Sequence, residues 1–119
     1  MANEEALIRQ TINFYAEGGT TGNPQLVAKA FHPSASVKFI KDNVFIDVPI
    51  AAFLSDYIKQ GIFQQRTTEI NSIEISGNAA QAKLTIDYST HQFIDYFNLL
   101  KTDGRWLIVS KIFYRKDKE

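Results

Sequence analysis

The spacing of apolar positions changes halfway along this chain. Over residues 4 to 17, EEALIRQTINFYAE, Leu7, Ile8, Thr11, Ile12, Phe14 and Tyr15 recur at three- and four-residue intervals. That period predicts a helix with one buried face. Asn3 is placed to cap it, Glu4 and Glu5 suit the positive end of its dipole, and Gly18-Gly19 ends it. GNPQLVAKAFHP predicts a second, short helix, with Asn23 as cap, Pro24 as first helical residue and Pro33 as stop. SVKFIKDNVFIDV predicts a hairpin turning at Asp42-Asn43. PIAAFLSDYIKQG predicts a third helix, with Pro49 near its start, Gly61 at its end, and Ile50, Phe53, Leu54, Tyr57 and Ile58 on its apolar side.

After Gly61 the period becomes two. Residues 64 to 76 predict a long strand, bulged near Asn71 where the alternation slips. Gly77-Asn78 makes a turn. From 80 to 90, Ala80, Ala82, Leu84, Ile86 and Tyr88 share one face, and Gln81, Lys83, Thr85, Asp87 and Ser89 the other. The stretch from Phe93 to about Arg115 is split by Asp103-Gly104 into two more strands. Helices therefore gather in the first half and long strands in the second. The expected class is α+β, a curved antiparallel sheet wrapped around N-terminal helices, in a single domain over 1–119.

Three segments carry a family resemblance: FHPSA (31–35), DYFNLLK (95–101) and DGRWLIVSKIF (103–113). With the order of elements, they resemble the nuclear transport factor 2-like (NTF2-like) cone fold, also called cystatin-like. Within it the chain is most similar to the SnoaL-like group and the putative lumazine-binding family. The resemblance spans nearly the whole chain. It implies a cavity between the helices and the inner sheet face, and a small molecule inside it. Relatives of this fold include isomerases, dehydratases, hydrolases and binding modules, so fold alone does not decide function. The position after the tryptophan is usually polar in such sequences and here is Leu107. No residue pattern enforces pterin or flavin binding, and no cofactor is expected.

The inner face holds the candidate chemistry. A two-residue type I′ turn at Asp103-Gly104 sets Leu99 opposite Ile108, Phe97 opposite Ser110 and Asp95 opposite Ile112. A preceding turn near Thr90-His91 sets Phe97 against Leu84, Asp95 against Ile86 and Phe93 against Tyr88. Both pairings put Asp95 on the Trp106 face. The expected cavity walls are Phe14, Tyr15, Phe53, Tyr57, Tyr88, Phe93, Phe97, Trp106, Ser110, Ile112 and Tyr114, with His32 as a further lining residue.

A carboxylate among such side chains must be hydrogen-bonded or paired. One reading makes Asp95 a general base, with Tyr15, Tyr57 or Tyr88 as hydrogen-bond donors. The other gives it a structural partner: a backbone amide, a tyrosine hydroxyl or a basic side chain. A different turn, with Thr102-Asp103 as type I and Gly104 as a bulge, would set Asp95 opposite Lys111 outside the pocket, because a one-residue slip moves every side chain to the other face. In the type I′ register Lys111 lies on the outer face with Ile94, Tyr96, Leu100, Leu107, Val109 and Phe113. A patch that apolar predicts a homodimer formed sheet to sheet.

Composition narrows the remaining classes. Thirteen basic and thirteen acidic residues cancel, and no basic run marks a nucleic-acid or membrane surface. There is no cysteine, which removes disulfides, thiolate nucleophiles and Cys-based metal sites and fits a cytoplasmic setting. His32 and His91 are not at metal-ligand spacing, so no metal is expected. The N-terminus lacks the basic start and apolar block of a signal peptide. The expected function is binding of a small, mostly apolar ligand; the alternative is a proton-transfer enzyme of isomerase or dehydratase type with Asp95 as base.

Overall fold

A computed structural model describes residues 3–119. The element order is α1 (Glu4–Thr21), α2 (Pro24–Ala28), β1 (Phe31–Lys41), β2 (Val44–Pro49), α3 (Ile50–Tyr57), β3 (Thr67–Ser76), β4 (Ala79–Asp87), β5 (His91–Thr102) and β6 (Arg105–Asp117).

The Asn3 side chain caps α1 by accepting from the Ala6 amide at 3.2 Å. The helix does not stop at Gly18-Gly19. It runs to Thr21 and closes on Gly22, whose φ of 69° is the left-handed conformation that glycine adopts freely. Gly18 serves contact instead, since a Cβ there would lie 2.6 Å from Val27 Cγ2 of α2.

Helix α2 also differs from expectation, ending at Ala28 instead of running to Pro33. The chain is drawn into the sheet first: the Ile108 amide donates to the Ala30 carbonyl at 2.8 Å, and Phe31 pairs with Ile108. Helix α3 ends at Tyr57, with Ile58 already extended, and β3 starts at Thr67.

The strands form one six-stranded sheet in the order β2-β1-β6-β5-β4-β3. All neighbours are antiparallel except β1 and β6. Asp42 and Asn43 (φ 52° and 64°), like Asp103 and Gly104 (φ 50° and 78°), form the type I′ turns that short hairpins favour. Asn71 is the extra residue of a bulge in β3, since Ile70 pairs with Leu84 and Ser72 with Lys83.

The inner face of this curved, unclosed sheet packs on α1 and α3. Ile8, Ile12, Tyr15 and Phe53 from the helices join Val37, Leu84, Ile86, Phe97, Leu99, Trp106 and Ile108 from the strands in one buried cluster. Among the described residues, no helix is long and apolar enough to cross a membrane.

Candidate functional site

A second bulge builds the site. Leu99 pairs with Ile108, as the type I′ turn dictates, but Asn98 pairs with Ser110, leaving Val109 as an extra residue on β6. Beyond that point every β6 side chain has changed face. Phe97 is opposite Lys111 and Asp95 is opposite Phe113, which replaces the expected pairings with Ser110 and Ile112. Lys111 and Phe113 therefore turn inward. Ser110, Ile112 and Tyr114 leave the inner face, and Ile112 and Tyr114 are more than half exposed.

On the other side of β5, Leu84 pairs with Asp95 and Ile86 with Phe93. The β4–β5 loop is Ser89-Thr90, one position earlier than expected, which shifts the pairing by two and preserves the face.

Asp95 is 0% exposed and Lys111 4% exposed. The Tyr15 hydroxyl donates to Asp95 Oδ2 at 2.9 Å, and Lys111 Nζ lies 3.3 Å from the same oxygen. Lys111 also donates to the Tyr15 hydroxyl oxygen. Its ammonium sits over the rings of Tyr15, Phe53 and Phe113, at 4.6, 4.9 and 5.1 Å from their centroids. Aromatic faces are negative, so they hold a cation that has left water. Asp95 Oδ1 is buried and accepts no hydrogen bond from the described residues.

Burial pushes the Lys111 ammonium below its ordinary value, with the nearby Asp95 charge opposing that shift and Arg66 adding to it. Burial, followed by the Asp95 charge, raises the Tyr15 hydroxyl well above 10, so it remains a donor.

Tyr15 and Lys111 of this trio line a cavity of about 150 Å³. Its wall is Tyr15, Phe53, Tyr57, Ile58, Arg66, Ile86, Tyr88, Phe93, Lys111 and Phe113. Tyr57 stacks on Phe53 at 5.2 Å and is 51% exposed, which places it at the mouth. Asp95 is not on the wall; Tyr15 and Lys111 stand beside it there. The donors left for a ligand are the Lys111 ammonium, the Arg66 guanidinium and the Tyr88 hydroxyl, since the one Tyr15 proton goes to Asp95.

Of the residues expected to line the cavity, the structure brings together Tyr15, Phe53, Tyr57, Tyr88 and Phe93. Phe97 lies deeper, edge-on to Tyr15 at 5.1 Å. Trp106 is buried at the far end of the inner face, where its Nε1 donates to Glu4 Oε2 at 2.6 Å, and Phe14 lines a separate groove beside it. Ser110, Ile112 and Tyr114 are off the wall because of the bulge. His32 sits at the start of β1, where its Nδ1 accepts from the Ser34 amide at 3.0 Å. His91 stacks on Tyr88 at 4.5 Å, and burial lowers its pKa from 6.5. Sequence reasoning missed Arg66 altogether and assigned Lys111 and Phe113 to the outer face. Among the described residues, no group of three or more His, Cys, Asp or Glu is placed to hold a metal.

Comparison with known proteins places this architecture. A crystal structure of an NTF2-like protein of unknown function from Shewanella baltica OS155 is 30% identical and superposes with a TM-score of 0.87, over 97% of this chain and 95% of that one. An NTF2-like protein of unknown function from Methylobacillus flagellatus KT is 25% identical with a TM-score of 0.86, over 97% and 94% of the two chains. A ketosteroid isomerase-like protein from Erwinia carotovora atroseptica SCRI1043 shares the fold at 12% identity and a TM-score of 0.78, over 97% and 98%. No curated protein matches the sequence. The sequence model of the family described as "Putative lumazine-binding" matches residues 3–114. With that match over nearly its whole length, and the cone-shaped sheet to go with it, the chain belongs to the putative lumazine-binding family of the NTF2-like superfamily.

Proposed function

We propose that this protein binds one small, mostly apolar ligand in the aromatic cavity and orients it by the donors at the cavity's buried end. The wall carries the reading: five aromatic rings besides Tyr15, two aliphatic side chains and two cations converge on one space. Its size sets the scale. Sites for drug-sized molecules run to about 300–1,000 Å³, whereas an apolar cavity of about 150 Å³ takes up benzene. At about 150 Å³ this cavity accepts a single ring. A two-ring heterocycle such as the lumazine of the family's description requires the mouth to widen at Tyr57 and Ile58. An NMR titration with benzamide, phenol and benzoate tests the proposal. Shifts at Phe53, Tyr57, Tyr88, Phe93 and Phe113 are expected; silence there with all three probes overturns it.

The Asp95–Tyr15 hydrogen bond favours a second reading, an isomerase- or dehydratase-type enzyme. Asp95 would act as general base through the Tyr15 hydroxyl, which reaches both the carboxylate and the cavity. Solvent deuterium exchange into acetophenone is the measurement. Catalysis lost in Asp95→Asn while binding persists supports the enzyme, and no exchange by the native protein removes it.

The outer face supports a homodimer. Ile40, Phe45, Ile112 and Tyr114 line one shallow groove with Lys38, and Tyr96, opposite Ile112 on β5, continues the band. Phe113, expected on the outer face, lines the cavity as well as this groove; Ile112 and Tyr114 are the exposed apolar side chains of β6 here. An Ile112→Glu variant should be monomeric in analytical ultracentrifugation at micromolar concentration, where the native chain sediments as a dimer. A native monomer refutes the dimer. A chain without cysteine fits the cytoplasm, where we place it.

A further inference from the structure

The cavity holds more positive than negative charge. Lys111 is answered by Asp95. Arg66 has no carboxylate partner among the described residues. Its guanidinium is nonetheless fixed. Nε donates to Thr20 Oγ1 at 2.8 Å, Nη1 to the Tyr88 hydroxyl at 3.0 Å and Nη2 to the Ala16 carbonyl at 3.1 Å. Three of its five N–H donors are thereby used, which leaves one on each terminal nitrogen. Gly19 makes room for the group, because a Cβ there would collide with Nη2. A helix interior that keeps glycine against its propensity cost, beside an arginine held without an acid, is a built cation.

Resting on the binding reading above, we propose that the cavity selects a one-ring aromatic monoacid, its ring among Tyr57, Tyr88 and Phe93 and its carboxylate on the free N–H groups of Arg66, beside Lys111. Two cations and one carboxylate leave a net charge of +1 when all are ionised, which one negative charge balances. A neutral ring would cover the guanidinium and strip its water without replacing it, a loss that polar groups show whenever they are buried unpaired. A planar carboxylate bridges two guanidinium nitrogens with charge-assisted bonds, about twice the strength of neutral ones. The aromatic wall supplies the rest.

Isothermal titration with benzoate, benzamide and acetate tests this. Benzoate should bind at least tenfold more tightly than either other probe. Arg66→Met should erase that advantage, bringing benzoate down to the level of benzamide. Gly19→Ala should do the same without removing the charge, by displacing the guanidinium, while alanine favours the helix itself. Equal affinity of the native protein for benzoate and benzamide overturns the inference and leaves the cavity reading intact, as does an undiminished benzoate preference in either folded variant. Binding of neither ring overturns both. The native comparison alone decides if both variants fail to fold.

Discussion

Two side-chain trios with the same composition lie along the β5–β6 pair. Near the Asp103-Gly104 turn, Glu4 takes Lys101 at 2.7 Å on one carboxylate oxygen and Trp106 at 2.6 Å on the other. Past the Val109 bulge, Asp95 takes Lys111 and Tyr15 on a single oxygen. Each is a carboxylate, a lysine and an aromatic donor. The side chains of Lys101 and Glu4 are 30% and 36% exposed, whereas those of Lys111 and Asp95 are almost wholly buried. Water shares the work of the Glu4–Lys101 pair, so losing either charge there is tolerated. No water substitutes inside, so the Asp95 trio must stay complete. The same chemistry trims a surface in one place and organises a cavity in the other.

Removing one charge from the inner trio should have the largest effect. Lys111→Met or Asp95→Ala leaves a lone buried charge, at an expected cost of about 3–5 kcal/mol in urea unfolding. A loss well below 1 kcal/mol would mean the pair is solvated and the contrast false. Replacing both charges at once, Asp95→Leu with Lys111→Met, should recover most of that loss, because paired apolar side chains satisfy each other; the double-mutant cycle reads the coupling directly. Tyr15→Phe comes next. It takes one donor from Asp95 while Lys111 remains, for about 1–3 kcal/mol, measured in the same way.

The smallest change belongs to Glu4→Gln, expected as a slight fall in Tm near neutral pH. Its hydrogen bonds to Lys101 and Trp106 hold the Glu4 carboxyl below its usual 4.5. A depressed folded-state pKa stabilises above the unfolded value and loses that contribution as pH falls through the folded one. The Tm gap between native and Glu4→Gln proteins should therefore shrink below pH 4.5. A gap that widens on acidification contradicts the sign.

How much was legible in the sequence depends on the range of the interactions. Asp42-Asn43 and Asp103-Gly104 could be read as turns because positive φ is a local demand. The Asn71 bulge was visible because the alternation breaks there with unlike residues on either side. The Val109 bulge was not. Ile112 and Phe113 are adjacent and both apolar, so the period-two pattern of VSKIF fits either face equally well. The glycines were read as helix punctuation, yet Gly19 answers to Arg66, 47 positions away. Arg66 itself left no pattern: its partners Ala16, Thr20 and Tyr88 come together only in the folded chain. Pro33 misled because the pairing of β1 with β6 takes hold of the chain before a proline is needed to stop the helix.

By itself, the sequence determined the order of helices and strands, the turns at Asp42-Asn43, Gly77-Asn78 and Asp103-Gly104, and the placing of Asp95 on the side of Trp106. Those follow from backbone preference and hydrophobic period, which act over a few residues. Only the tertiary structure decided that Lys111 would turn inward to meet Asp95 and that Arg66 would stand beside it. The strand ladder accepts β6 with or without its extra residue, so the choice passes to packing and charge. A carboxylate sealed among rings requires a cation, and the bulge brings the nearest lysine to it.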